Sequence, residues 1–122
     1  STPAEPQIYA LDLVTERMLE EGMEARFERH RRMADLVRAW ARERFELFCE
    51  DGYESDTLTC VRNTRRIDVG ALNEKLLADH DCIISNGYGK LKDETFRIAH
   101  MGDMQEADLR ELIGWIDEAL PA

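Results

Sequence analysis

Lysine is scarce in this chain. Lys75, Lys90 and Lys92 are the only three, and arginine supplies the rest of the 16 basic residues. Positive charge is short as a whole: 26 acidic residues leave a net charge of −10. That balance disfavours nucleic acid and anionic membrane as partners. Long apolar runs are missing, so no stretch is suited to span a bilayer. The N-terminal Ser1-Thr2-Pro3-Ala4-Glu5-Pro6 has neither a basic region nor an apolar core of the kind a signal peptide needs, and we expect none. Cysteines number three, Cys49, Cys60 and Cys82, without C-x-x-C spacing. Cys60 and Cys82, inside apolar runs, read as buried free thiols, the roles of all three stay open, and the spacing gives no support to a metal site even with His80. Reduced thiols and a leaderless start lead us to expect a cytoplasmic protein. A nucleophile elbow, a P-loop, an H-E-x-x-H pair and a Rossmann glycine pattern are all absent.

What remains suits one core. A chain of 122 residues, 43% hydrophobic, predicts a single domain over 1–122. After an extended, proline-bearing entry, Gln7 to Glu20 predicts a helix. Its apolar residues Ile8, Leu11, Val14, Met18 and Leu19 are joined on the polar side by Tyr9 and Leu13. A helix apolar on nearly two sides wants a second partner, so residues 1–21 read as a linker and a helix wedged between this domain and something else.

Gly22 breaks the pattern, and Glu24 to Arg44 predicts a second helix. Met23, Phe27, His30, Met33 or Ala34, Val37 and Trp40 form its apolar stripe. Seven arginines between Arg26 and Arg44, interleaved with acids, read as a solvated face carrying Glu28–Arg32 and Arg31–Asp35 pairs. Short strands are predicted at Glu46 to Cys49, Thr57 to Arg62, Cys82 to Ile84 and Thr95 to His100. A helix capped by Asp68 lies among them, and a last helix opens at Asp103 with Glu106 as a capping box. The sum is an α+β fold: a small, mostly antiparallel sheet of 3–4 strands with helices on one face, preceded by a long N-terminal helix.

The last predicted strand carries one arginine. Alternation sends Phe96, Ile98 and His100 one way and Thr95, Arg97 and Ala99 the other. With Phe96 and Ile98 in the core, Arg97 is presented on the opposite face, where a guanidinium can take two oxygens of a carboxylate or phosphate. The residues alone leave two readings open, a binding arginine or one on a solvated sheet face, and favour the second. Gly87-Tyr88-Gly89 reads as a tight turn between strands.

The segment Asn86-Gly87-Tyr88-Gly89-Lys90-Leu91-Lys92-Asp93-Glu94-Thr95-Phe96-Arg97-Ile98-Ala99-His100-Met101-Gly102 resembles the signature near the C-terminus of class V aminotransferases. These are fold-type I enzymes that use pyridoxal phosphate, and the serine/alanine–glyoxylate branch is the nearest in pattern. The likeness extends to Thr2-Pro3, Ile8-Tyr9-Ala10-Leu11, Glu20-Glu21-Gly22, Arg29-His30-Arg31, Asp56 to Val61 and Ile67-Asp68. It implies the C-terminal small domain of such an enzyme, with Arg97 gripping the substrate α-carboxylate, and so reverses the preference above. It further implies that Thr2 contacts the cofactor phosphate of a neighbouring subunit in a homodimer. The implied substrates are a small amino acid of the serine, alanine or aspartate type and a 2-oxo acid such as glyoxylate or pyruvate.

Departures from the pattern are Ser85-Asn86 in place of Gly-Gly and Ala99 in place of glycine, both narrowing the implied pocket. The family's Schiff-base lysine has no counterpart among Lys75, Lys90 and Lys92, so the catalytic anchor would lie in a large domain upstream of residue 1 and the chain alone would be inactive. The alternative is a stand-alone α+β binding or regulatory module. The two differ over the first helix: a self-sufficient module should bury both of its apolar sides within itself, whereas a detached domain should leave Tyr9, Leu13 and their neighbours on an exposed apolar patch or bury them by self-association.

Overall fold

The structure is a computed structural model and describes residues 1–121. Helices α1 (Glu5–Glu21) and α2 (Met23–Arg44) lead into strands β1 (Glu46–Leu47) and β2 (Leu58–Arg62). Helix α3 (Val69–His80), β3 (Ser85–Asn86), a 3-10 turn at Gly89–Leu91, β4 (Thr95–Ala99) and α4 (Glu106–Ala119) complete the chain. The four strands form one antiparallel sheet in the order β1-β2-β4-β3. The predicted α+β class and long N-terminal helix are observed.

The core lies on one side of the sheet. Val61, Phe96 and Ile98 meet Met33, Val37, Trp40 and Ala41 of α2, Leu72 and Leu76 of α3, and Leu109, Ile113 and Ile116 of α4. Phe45 sets its ring edge-on to Phe96, 5.2 Å between centroids. Polar contacts join the helices across the apolar layer. Trp40 Nε1 donates to Asp117 at 2.8 Å, and Arg44 reaches the same carboxylate at 2.7 Å.

His100, fully buried at the end of β4, follows the predicted alternation. Its Nδ1 lies 3.0 Å from the Asp56 carbonyl and its Nε2 2.8 Å from the Thr59 hydroxyl. A carbonyl only accepts, so Nδ1 carries the proton and the neutral ring accepts from Thr59. Burial pushes the His100 pKa below its ordinary 6.5, outweighing the Asp56 hydrogen bond. Below pH 6.5 the unfolded chain therefore takes up a proton that the folded chain refuses, and stability falls with acidification. Melting temperature is expected to drop from pH 7.5 to 5.5 in the wild type and to flatten over that range in His100→Gln. Parallel profiles for the two would assign the drop elsewhere.

Several predicted details are corrected. Cys82 to Ile84 is not a strand: Asp81, with φ of 53°, turns the chain out of α3, and Asn73 satisfies both the N–H and the carbonyl of Ile84 at 2.8 Å. Pairing moves on to Ser85 and Asn86, and Ile83 is exposed. The last helix is capped by Gln105 with Asp108 rather than by Asp103 with Glu106. Asp103 instead faces Arg26 at 3.3 Å and Arg17 at 3.8 Å.

Helix α2 is not solvated along all its arginines. Arg26 and Arg29 are buried against Glu21, which reaches them across the Gly22 bend. The surface pairs also differ: Glu28 meets Arg31, Asp35 meets Arg38, and Arg32 turns to Glu106. Phe27 leaves the expected stripe and is exposed. Cys60 and Cys82, expected to be buried, are half-buried, as is Cys49, and all three are free.

Helix α1 buries no residue. Ile8, Tyr9, Leu11, Leu13, Val14 and Leu19 are all exposed. Among the described residues, no helix is long and apolar enough to cross a membrane, and no cluster of His, Cys, Asp or Glu is arranged to hold a metal.

Candidate functional site

The face of the sheet turned away from the core presents Arg97. Strand β4 places it opposite Cys60 of β2 on one side and Ser85 of β3 on the other. Both flanking strands hold its backbone, so the side chain leaves a fixed platform. The thiol beside it is not an activated nucleophile. Burial pushes the Cys60 pKa up, with the Thr95 hydroxyl and the Arg97 charge pulling the other way.

Arg97 is half-buried and enters no ion pair among the described residues. In so acidic a chain that stands out. Apart from Arg65, every other arginine faces at least one carboxylate. Arg97 has instead one hydrogen bond, from Nη2 to the backbone carbonyl of Asn86 at 3.0 Å. The Tyr88 ring lies against the guanidinium, 4.5 Å from Cζ to the ring centroid. Its Nε–H is buried without any acceptor. A buried donor left unmet costs free energy, so a native structure that keeps one invites a ligand as the missing partner.

The loop from Asn86 to Asp93 builds one wall of this arrangement. The Asn86 side chain accepts from the N–H of Gly87 at 2.7 Å and of Asp93 at 2.9 Å, and donates to the Asp93 carboxylate at 2.8 Å. Gly87 also donates to the Thr95 carbonyl at 3.1 Å. A Cβ at Gly87 would collide with the Leu91 carbonyl and lie 2.5 Å from Thr95 Oγ1, so only glycine lets the loop close here.

Thr2 sits elsewhere. It is exposed, in the entry segment ahead of α1, with no side-chain hydrogen bond among the described residues. The structure does not bring it to Arg97 within this chain. Nor do two surface hollows of a size to take a small ligand include Arg97. One of about 360 Å³ is lined by Arg65, Ile67, Leu72 and Leu120, and one of about 340 Å³ lies between Met18, Phe27, His30 and Thr57. Arg97 stands on open sheet surface. The contribution of Tyr88 was not foreseeable from the G-x-G turn. The signal that could have found it is Asn86 seven residues ahead of Asp93, two loop-closing side chains that aim the residue between them.

No family model matches the chain. It is 30% identical over 120 residues to an uncharacterized aminotransferase of Methanocaldococcus jannaschii, covering 98% of this chain and 31% of that protein. It is 34% identical over 102 residues to the (S)-ureidoglycine–glyoxylate transaminase of Bacillus subtilis, covering 83% and 24%. Among solved structures, it superposes on pyridoxamine–pyruvate aminotransferase from Mesorhizobium loti with a TM-score of 0.86 at 29% identity, over 98% of this chain and 31% of that one. The chain thus spans about a quarter to a third of the length of the curated relatives it matches.

Proposed function

Because the chain is a homologue of a domain-sized part of the fold-type I, class V-like pyridoxal phosphate aminotransferases, we propose that it is the small domain of such an enzyme and that Arg97 holds the substrate α-carboxylate. The buried, acceptorless Nε–H of an arginine with no acidic partner is the observation that carries this reading. A carboxylate fits because its two oxygens match two parallel N–H donors of the guanidinium. The general reaction of the family passes an amino group between amino and 2-oxo acids. For this chain we assign a small amino acid of the serine, alanine or aspartate type and an acceptor such as glyoxylate or pyruvate, in a cytoplasmic homodimer.

The residues present fit substrate binding and do not fit covalent attachment of the cofactor. A lysine that bonds a carbonyl must first lose its proton, which burial promotes. Lys75 is driven the other way: the Asp79 carboxylate, 2.8 Å off, raises its pKa. Lys90 and Lys92 are exposed on the turn. Pyridoxal phosphate supplies the electron sink when bound, and we place its anchor in a large domain upstream of residue 1. From this chain only Thr2, across a subunit boundary, is assigned to the phosphate. The open surface around Arg97 becomes a pocket when that domain covers it.

The exposed apolar side of α1 supports this reading over a stand-alone module, which would bury it. Mixing the purified chain with pyridoxal phosphate and then borohydride is expected to leave its mass unchanged. Stoichiometric modification of one lysine would overturn the assignment of the anchor to another domain.

A further inference from the structure

We infer that Tyr88 is a positioning residue for Arg97, and that it restricts the site to planar anions. This rests on the reading of Arg97 as the carboxylate holder. The Asn86–Asp93 loop touches the guanidinium twice. The Asn86 carbonyl takes one N–H of Nη2 at 3.0 Å, and the Tyr88 ring lies against the guanidinium, its centroid 4.5 Å from Cζ. These two contacts hold the guanidinium in different ways, one a hydrogen bond at Nη2 and the other a ring against the cation. Together they fix its rotation about the last side-chain bonds and leave the buried Nε–H free.

Tyr88 is 78% exposed, so its ring adds little to the core. The side chain is nevertheless aimed, because the loop beneath it is closed by the Asn86 side chain and by the close approach at Gly87. The Leu91 N–H donates to the Tyr88 carbonyl at 2.9 Å, which ties the ring-bearing residue itself into the turn. A ring across one face of the guanidinium restricts anions to its edge. A flat carboxylate meets that edge with both oxygens in plane, whereas a tetrahedral anion that offers the same two oxygens carries others above and below that plane, and the ring crowds the one on its side. Attraction between cation and ring falls with the loss of the aromatic face but not with loss of the hydroxyl, so Tyr88→Phe should preserve the effect.

The test uses the ¹⁵N-labelled chain and follows the Arg97 Nε–H resonance, identified by its disappearance in Arg97→Lys. In the wild type this proton is expected to exchange slowly with water and to shift on titration with pyruvate more than with inorganic phosphate. In Tyr88→Ala, exchange should quicken about tenfold as the guanidinium gains freedom, and the preference for pyruvate over phosphate should vanish. Tyr88→Phe should match the wild type. An unchanged resonance and exchange rate in Tyr88→Ala would overturn the positioning role while leaving the carboxylate reading intact. A wild-type resonance indifferent to pyruvate would instead overturn the carboxylate reading, and with it the anion selectivity assigned to Tyr88.

Discussion

On the proposed reading, replacing Arg97 with lysine is expected to lower kcat/KM about 100-fold in an enzyme that joins this domain to a cofactor-binding one, because a forked pair of charge-assisted hydrogen bonds becomes a single point contact. The loss should appear for the amino acid and for the 2-oxo acid alike, since both present the same carboxylate. Folding should be spared. Arg97 contributes one hydrogen bond and one ring contact to its own chain and neutralises no acid. Arg65, the other arginine that faces no carboxylate among the described residues, is the control. It lies over Phe45 and donates to the Pro121 carbonyl, and Arg65→Lys should leave both half-reactions unchanged. Steady-state kinetics decides the matter: a change below threefold in Arg97→Lys would remove Arg97 from the substrate site.

The second large effect is on stability and falls on Arg29. Arg29 is 6% exposed and spends its guanidinium on four contacts. Nε and Nη2 grip the Glu21 carboxylate at 2.6 and 2.9 Å, Nη2 also donates to the Gly102 carbonyl at 2.9 Å, and Nη1 donates to the Met104 carbonyl. One side chain thus fastens the α1–α2 bend to the turn ahead of α4. Arg29→Met would leave two carbonyls without their donor and Glu21 with Arg26 as its remaining partner. We expect a loss of about 2–3 kcal/mol, discounted from a fully buried pair because Glu21 keeps some solvent. That corresponds to a melting temperature lower by roughly 10 °C for a chain of this size.

Arg31→Met, on the exposed side of α2, should change little. The Arg29 hydrogen bond, aided by Arg26, holds the Glu21 pKa at about 2, well below its ordinary 4.5. A depressed carboxylate adds stability above pH 4.5 and loses it as pH falls toward 2. The gap between wild type and Arg29→Met should therefore narrow across that acid range and hold steady from pH 5 to 7. Thermal melts at matched ionic strength would show it, and a gap of constant size down to pH 2 would take Glu21 out of the account.

Much of this was legible in the sequence because it follows from short-range periodicity. The helix over Met23–Arg44, the Asp68 cap and the inward set Phe96, Ile98 and His100 obey local rules, and the structure keeps them. Arg97 follows by alternation, since its neighbours in the chain fix which way it faces. What was not legible depends on residues far apart in sequence. Nothing near Arg29 announces that Gly102 and Met104 wait for it, so pairing rules within one helix assign it to solvent. Ile84 looked like strand because three apolar residues in a row do, and only the three-dimensional position of Asn73 shows its backbone already satisfied. Tyr88 was hidden for the same reason: a turn motif says that the chain reverses, not where the residue at its tip is sent.

The bareness of α1 also bears on how such a domain could travel between genes. Its ion pairs with the rest are gathered toward one end, at Arg17 and Glu21. Everything ahead of Arg17 could be recombined with a foreign sequence without opening a void among Val37, Phe96 and Ile116. Selection on the amino-terminal stretch of that helix would then answer to whatever it is spliced against, and its sequence should drift on a different clock from the sheet it precedes.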